Sequence, residues 1–300
     1  MLLLPACGPV SPPTSSHQGT YILRGGYTAG QRVVLTLEAK VREQKQARPS
    51  PDEWYVYRMD VPVEFSKPND AGRFNATMTL RRLAIQRERG GSVVSDIDSD
   101  RPETAGDGDM VELFPLLAVR FHVVLAGGAS VESVLMDRES LASLERSYFA
   151  DLSPEARTEV VAEASACAAA LLENPWAYLP YEPVAVGDRW GVEGRTYAAA
   201  SLLNVSLGYG PVDVVREVVR CTLEEVRHTE HGRIATIDIF GRWEMPEHVR
   251  REQEIFTTGV GGTIRFNLDT GELLEHVIRA ATVGKNSTTH DTITTTLSKP

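Results

Sequence analysis

Asp96, Asp98 and Asp100 stand at alternate positions, with Glu103, Asp107 and Asp109 close behind. Residues two apart share a face of an extended strand, so three carboxylates would converge there. Calcium favours such a hard oxygen set, and a calcium-dependent enzyme or hydrolase would be built on the Asp96 to Asp109 stretch. An EF-hand loop also needs glycine at its sixth position, where this chain has Arg101. The bland alternative is a solvated acidic loop. His228-Thr229-Glu230-His231 offers imidazole and carboxylate groups, but at a hairpin tip and without the helical HExxH spacing. His122 falls on the wet phase of its strand.

Asp269-Thr270-Gly271 spells the tripeptide of aspartic proteases, whose chemistry needs two carboxylates sharing a proton. The equivalent turn in the first half, Ala126-Gly127-Gly128, has no aspartate, and Glu272 replaces the usual Ser or Thr. A hairpin turn is the expected reading. The chain contains no GxSxG elbow, P-loop or dinucleotide fingerprint. With no catalytic constellation, the chain reads as a non-enzyme. No cofactor is implied.

Cys7, Cys167 and Cys221 form no CxxC or zinc spacing. Cys167 and Cys221 would be able to pair in an oxidising compartment. Both fall on apolar phases, so two buried free thiols are the alternative. Trp54, Trp176, Trp190 and Trp243, with Tyr55 and Tyr57, read as core residues rather than a cofactor box.

The bulk composition bounds the partners. The net charge of -10 argues against nucleic acid, whose phosphates require a basic footprint. It also disfavours docking of the folded part on an anionic membrane surface. A hydrophobic fraction of 42% supports a core. No stretch approaches the roughly 20 apolar residues of a membrane span.

The elements that would hold these groups are mostly strands. Val33 to Val41 alternates, and Tyr55 to Phe65 puts Tyr55, Tyr57, Met59, Val61, Val63 and Phe65 on one face. Period two with one wet face signals an antiparallel sheet. Pro62 has no N–H, which predicts an edge or bulge nearby. Phe74 to Leu80 alternates until the phase shifts at Arg81-Arg82, which predicts a β-bulge. Ser92 to Ile97, Leu117 to Leu125 and Val131 to Leu135 continue the pattern. Two helices follow, over Arg138 to Phe149 and from Pro154 onward, the second capped by Ser153. Strands resume at Leu203 to Tyr209, Val212 to Val226, Arg233 to Trp243, Ile264 to Leu268, Leu274 to Val283 and Thr288 to Leu297.

The halves echo each other. Gly30-Gln31-Arg32-Val33 matches Gly187-Asp188-Arg189-Trp190, and Leu125, Gly128, Glu132 and Val134 match Leu268, Gly271, Glu275 and Val277 at constant offset. Duplication is the reading; shared hairpin chemistry is the alternative. The expected fold is therefore mainly β (α+β), with two related antiparallel, curved, open half-barrel-like halves around a central helical segment. Residues 1–20 form a signal remnant and tether, 21–136 the first half, 137–183 the helical segment and 184–300 the second half.

The N-terminal Leu2-Leu3-Leu4-Pro5-Ala6-Cys7 resembles the lipobox of bacterial lipoproteins. The resemblance implies lipidation of Cys7, cleavage after Ala6 and anchoring to a membrane of the bacterial cell envelope. Each buried CH2 of an acyl chain contributes about 0.8 kcal/mol to such an anchor. The Pro/Ser/Thr-rich stretch from Pro9 to Gly19 suits a tether. The phrase Leu179-Pro180, Val186-Gly187-Asp188 and Trp190 is similar to one that opens the second β half in an uncharacterised family of secreted and lipid-anchored bacterial proteins. Ser95 to Asp100 and Phe121 to Leu135 resemble that family as well. The resemblance supplies fold and location, not chemistry. The architecture is also similar, as fold-level analogy, to the half-barrels of lipoprotein carriers.

Together these features point to a non-catalytic, lipid-anchored envelope protein that binds an apolar molecule or a partner protein on curved sheets. The apolar groove would be lined by Tyr57, Met59, Val61, Phe121 and Val123. A purely structural or adaptor protein of the envelope is the second expectation.

Overall fold

In a computed structural model the chain is described over residues 19–28, 30–45, 53–67, 69, 73–101, 117, 119–126, 130–147, 149–150, 152–173, 175–197, 214–244, 247, 251, 255–285 and 287–299. The alternating segments become β1 (Arg32–Lys45), β2 (Glu53–Phe65), β3 (Phe74–Thr79), β4 (Arg82–Arg89), β5 (Ser92–Asp98), β6 (Arg120–Ala126) and β7 (Ser130–Met136). Helices α1 (Arg138–Ser147) and α2 (Pro154–Glu173) follow. The second half contributes β8 (Arg189–Tyr197), β9 (Val214–Thr229), β10 (Gly232–Glu244), β11 (Ile255–Asn267), β12 (Leu273–Gly284) and β13 (Ser287–Ser298). The expected strand at Leu203 to Tyr209 lies outside the described residues.

All strands join one curved antiparallel sheet ordered β7-β6-β3-β2-β1-β13-β12-β11-β10-β9-β8, with β4 also on β2 and β5 on β4. Among the described residues the path does not close into a barrel. β7, β6, β3, β2 and β1 follow one another in the same relation as β12, β11, β10, β9 and β8, and β13 stitches the two runs together through β1 and β12. The halves therefore share one sheet.

The echo around Gly30 and Gly187 has a geometric basis. Both glycines have positive φ, 77° and 91°, which a side chain would strain. The Thr28 N–H donates to Gln31 Oε1 as the Ala185 N–H donates to Asp188 Oδ2. Each glycine N–H then meets the neighbouring strand at an equivalent place, Phe65 O at 2.9 Å and Leu223 O at 2.8 Å. One turn design starts the first strand of each run.

Pro62 and the phase shift at Arg81 prove to be one feature. Val63 pairs with Met78, but Asp60 pairs with Arg82, so one extra residue is absorbed on the β3–β4 side. The bulge falls beside the proline that has no N–H to offer. Beyond it the far edge of this long strand is shared, by β6 along β3 and by β5 along β4.

Register carries apolar residues across the sheet in rows. One row runs Ile97, Ile85, Tyr57, Ala39, Ile293, Ile278, Gly262, Ile239, Cys221, Trp190. The next runs Leu83, Met59, Leu37, Thr295, His276, Ile264, Ile237, Leu223, with the last residue reached at a register shift. These rows form the inner face. The helical segment covers part of it. Ser153 caps α2 through its Oγ, which accepts from the Ala156 N–H at 3.2 Å, a contact that contributes about 1 kcal/mol. α2 lies along β7 and reaches β6 and β8, so it spans the gap between the two ends of the sheet path.

Candidate functional site

The chain after α2 enters the cup as a strap. Trp176 and Tyr178 are buried, at 7% and 3% exposure. Residues 19–28 run beside it, joined by mutual Tyr21–Val184 backbone bonds of 2.7 and 2.9 Å. Aromatic rings plug one end of the cup. Tyr27 stacks on Phe65 at 4.6 Å and meets Trp176 edge-on at 6.0 Å, and Trp176 meets Phe266 edge-on at 6.3 Å. At the other end Tyr55 and Tyr57, with ring centroids 6.4 Å apart, are half-buried, as are Ile85 and Ile293.

Polar groups are few on the inner face: Thr258, itself buried, meets the Thr282 hydroxyl at 3.2 Å, and another set gathers around Tyr178. The Tyr178 hydroxyl donates to the Glu217 carboxyl, 3.1 and 3.0 Å from its two oxygens. The Trp243 indole N–H donates to Glu217 Oε1 at 2.9 Å. The Trp190 N–H donates to the Tyr178 carbonyl at 2.8 Å, locking the strap to β8. Glu217 lies in the apolar phase of β9, and its burial holds the carboxyl above the ordinary range despite these two donors. It was not singled out in the sequence. A charged residue in line with Val219, Cys221 and Leu223 is the signal that would have found it.

His276 packs against the Tyr178 ring, with centroids 5.5 Å apart, and pairs across the sheet with Thr295. It is 5% exposed, and its Nε2 has no hydrogen-bond partner. Desolvation lowers its pKa from 6.5 to about 4. The unfolded chain takes up this proton first as pH falls, so stability should decrease from pH 6.5 to about 4. Denaturant melts across that interval, compared with those of His276→Leu, would expose this contribution as a slope that the variant lacks.

The groove residues share the inner face, as expected, but a bare groove is not present. Met59, Val61 and Val123 are 5%, 3% and 0% exposed and belong to the packed core. Tyr57 and Phe121 are half-buried at its margin. The aspartate reading also changes. Asp98 is 2% exposed and bound by Arg82, Asp96 pairs with Arg101 at 2.8 Å, and Asp100 lies 3.6 Å from Arg82. Arg82 and Arg101 pair with all three carboxylates, but only Asp98 is enclosed, whereas Asp100 remains mostly exposed to water. Among the described residues no group of three or more His, Cys, Asp or Glu side chains is placed to hold a metal. Glu103, Asp107 and Asp109 lie outside the described residues.

Cys221 is a free thiol facing the interior between Ile239 and Trp190, so it makes no disulfide with Cys167. The Cys167 side chain lies outside the described residues. Burial pushes the Cys221 thiol up to about 12. In the native protein Cys221 should resist a maleimide for hours and react within minutes once unfolded. Mass mapping of the labelled peptide measures both rates, and prompt native labelling would contradict the packing. Asp269 and Gly271 form a hairpin turn, with Gly271 at φ 73° and Asp269 paired to Arg233. His228 and His231 sit exposed at the β9–β10 tip, and His122 is exposed beside Asp137, 3.4 Å away. Cys7 lies outside the described residues.

No protein-family model and no curated protein matches the chain. Among solved structures, a lipovitellin structure described for its lipid–protein interactions aligns at a TM-score of 0.46 and 8% identity. The alignment covers 91% of this chain and 26% of that one, so the chain spans about a quarter of that protein's length. An exported protein with a YmcC-like fold from Bacteroides fragilis aligns at 0.21 and 8% identity, covering 93% of this chain and 98% of its own. DynF from the dynemicin pathway of Micromonospora chersina aligns at 0.21 and 6% identity, over 98% of this chain and 92% of its own. All three likenesses are remote. Among the described residues no helix is long and apolar enough to cross a membrane.

Proposed function

We propose that the chain is a non-catalytic protein of the bacterial cell envelope, lipid-anchored at Cys7, whose cup receives an apolar molecule. One observation carries the reading. The inner face is a continuous apolar surface, plugged by aromatic rings at one end and only half-covered at Tyr55, Tyr57, Ile85 and Ile293 at the other. Small-molecule sites are lined mainly by apolar and aromatic side chains with a few polar groups, and the half-covered end has that lining beside the packed centre. The cover is built from α2 and the strap, which are not strands of the sheet. Both oxygens of Glu217 are engaged by Tyr178 and Trp243, which favours an anchoring over a proton-transfer role.

Two measurements test this. Lipid-free protein titrated with an uncharged hydrocarbon fluorophore should show saturable binding that long-chain lipids displace. Linear, non-saturating fluorescence would remove the ligand reading. Separately, intact mass spectrometry of the denatured native chain should show acyl groups on Cys7, and an unmodified N-terminal cysteine would remove the anchor.

The adaptor reading keeps one specific support. Among the described residues β5 pairs only with β4, and Val93 and Val94 on it are each 51% exposed. A strand edge left open with apolar side chains beside it can add a strand from another chain, and among the described residues β5 presents such an edge. Copurification of an envelope protein without lipid would favour it.

A further inference from the structure

We propose that His276 and Thr295 seat the polar head of the molecule held in the cup, and that this molecule is an uncharged lipid with a hydroxyl or ester group at one end. The inference rests on the ligand reading above and specifies its chemistry. Thr295 and His276 face each other across β13 and β12 in a row otherwise made of Leu83, Met59, Leu37, Ile264, Ile237 and Leu223. Each is 5% exposed. A row serving packing alone would not leave a buried polar atom without a partner, because such an atom costs free energy. His276 Nε2 is such an atom. It adjoins the row containing Tyr57 and Ile293, where the cover is thinnest.

The same surroundings select the charge of the head. A buried anion requires a cation or several donors. Among the described residues no Lys or Arg is buried on the inner face. The titratable groups around Tyr178 are Glu217, His276 and Cys221, and burial favours the neutral form of each. A neutral imidazole can accept from a hydroxyl or donate to an ester carbonyl, according to its tautomer. A tail attached to that head would lie along Ile293, Tyr57 and Ile85. An uncharged acylglycerol has this form.

The test uses lipid-free full chain, a long-chain monoacylglycerol, the matching fatty acid anion at pH 8 and an uncharged hydrocarbon fluorophore. The wild type should bind the monoacylglycerol about tenfold more tightly than the anion. His276→Leu should lose about tenfold in monoacylglycerol affinity, bind the fluorophore unchanged and melt at a higher temperature without ligand. His276→Gln, which restores a hydrogen-bonding head contact, should recover part of the loss. Fluorophore binding with the same monoacylglycerol affinity in His276→Leu overturns this inference while leaving the ligand reading intact. Absence of saturable binding of every probe overturns both.

Discussion

Arg82→Ala should lower stability by about 3–5 kcal/mol, the cost of leaving a buried carboxylate without its partner. The Asp98 side chain is 3% exposed. Arg82 grips it with both donors of one guanidinium edge, Nε to Oδ1 at 3.0 Å and Nη2 to Oδ2 at 2.6 Å. The Asp100 N–H adds a bond of 3.1 Å, and Arg101 Nε stands 3.4 Å away. Arg101 is nearly half exposed and holds Asp96 as well, so it offsets only part of the loss. Removing both charges, in Arg82→Ala with Asp98→Ala, should cost less than Arg82→Ala alone. The Arg82 guanidinium lowers the Asp98 carboxyl from 3.8 to about 2. The folded state therefore releases this proton more readily than the unfolded one. Its contribution, about 2 kcal/mol, is present above pH 4 and fades as pH falls through 2. Urea melts of the variants at neutral and acid pH measure these differences. Equal stabilities for wild type and Arg82→Ala would contradict the pairing.

Trp176→Ala should cost about 3–5 kcal/mol, as expected for removing a large aromatic side chain from a packed interior. Its ring joins the strap to Tyr27 on the N-terminal segment and to Phe266 on β11, so the loss loosens two contacts at once. Gly25 lies against the same ring. A Cβ there would stand 2.1 Å from two ring carbons, so Gly25→Ala displaces the indole and should cost about 1–3 kcal/mol. In a Trp176→Ala background the space is already open and the glycine substitution should cost much less. A double-mutant cycle with guanidinium melts reads this coupling directly. Additive costs would show that the indole does not fill the plug.

Much of this architecture was legible in the residues themselves. β2 is visible because Tyr55 to Phe65 alternates without interruption, and the bulge because the phase breaks at Arg81. β8 was missed because glycines at 191 and 194 interrupt its side-chain pattern, and the start of β11 because Gly259, Gly261 and Gly262 leave almost none. The stitching of both halves by β13 depends on pairing between Leu35 and Leu297, a contact between opposite ends of the chain that local periodicity does not encode. The groove residues were placed on the correct face, but periodicity says which side is buried and not what buries it. Trp176 and Tyr178, which enter the cup as a strap, lie in an irregular segment with no period to read. The pairing of Asp98 with Arg82 is not legible in local spacing, because Arg82 comes from the adjoining strand.

The most direct test of the cup as a lipid site is native mass spectrometry of the folded chain, purified from its own envelope without denaturant. A mass above that of the acylated polypeptide should appear, lost on collisional activation and recovered in an organic extract as an uncharged lipid. A folded population carrying only its covalent mass under gentle conditions, with nothing extractable, would contradict it.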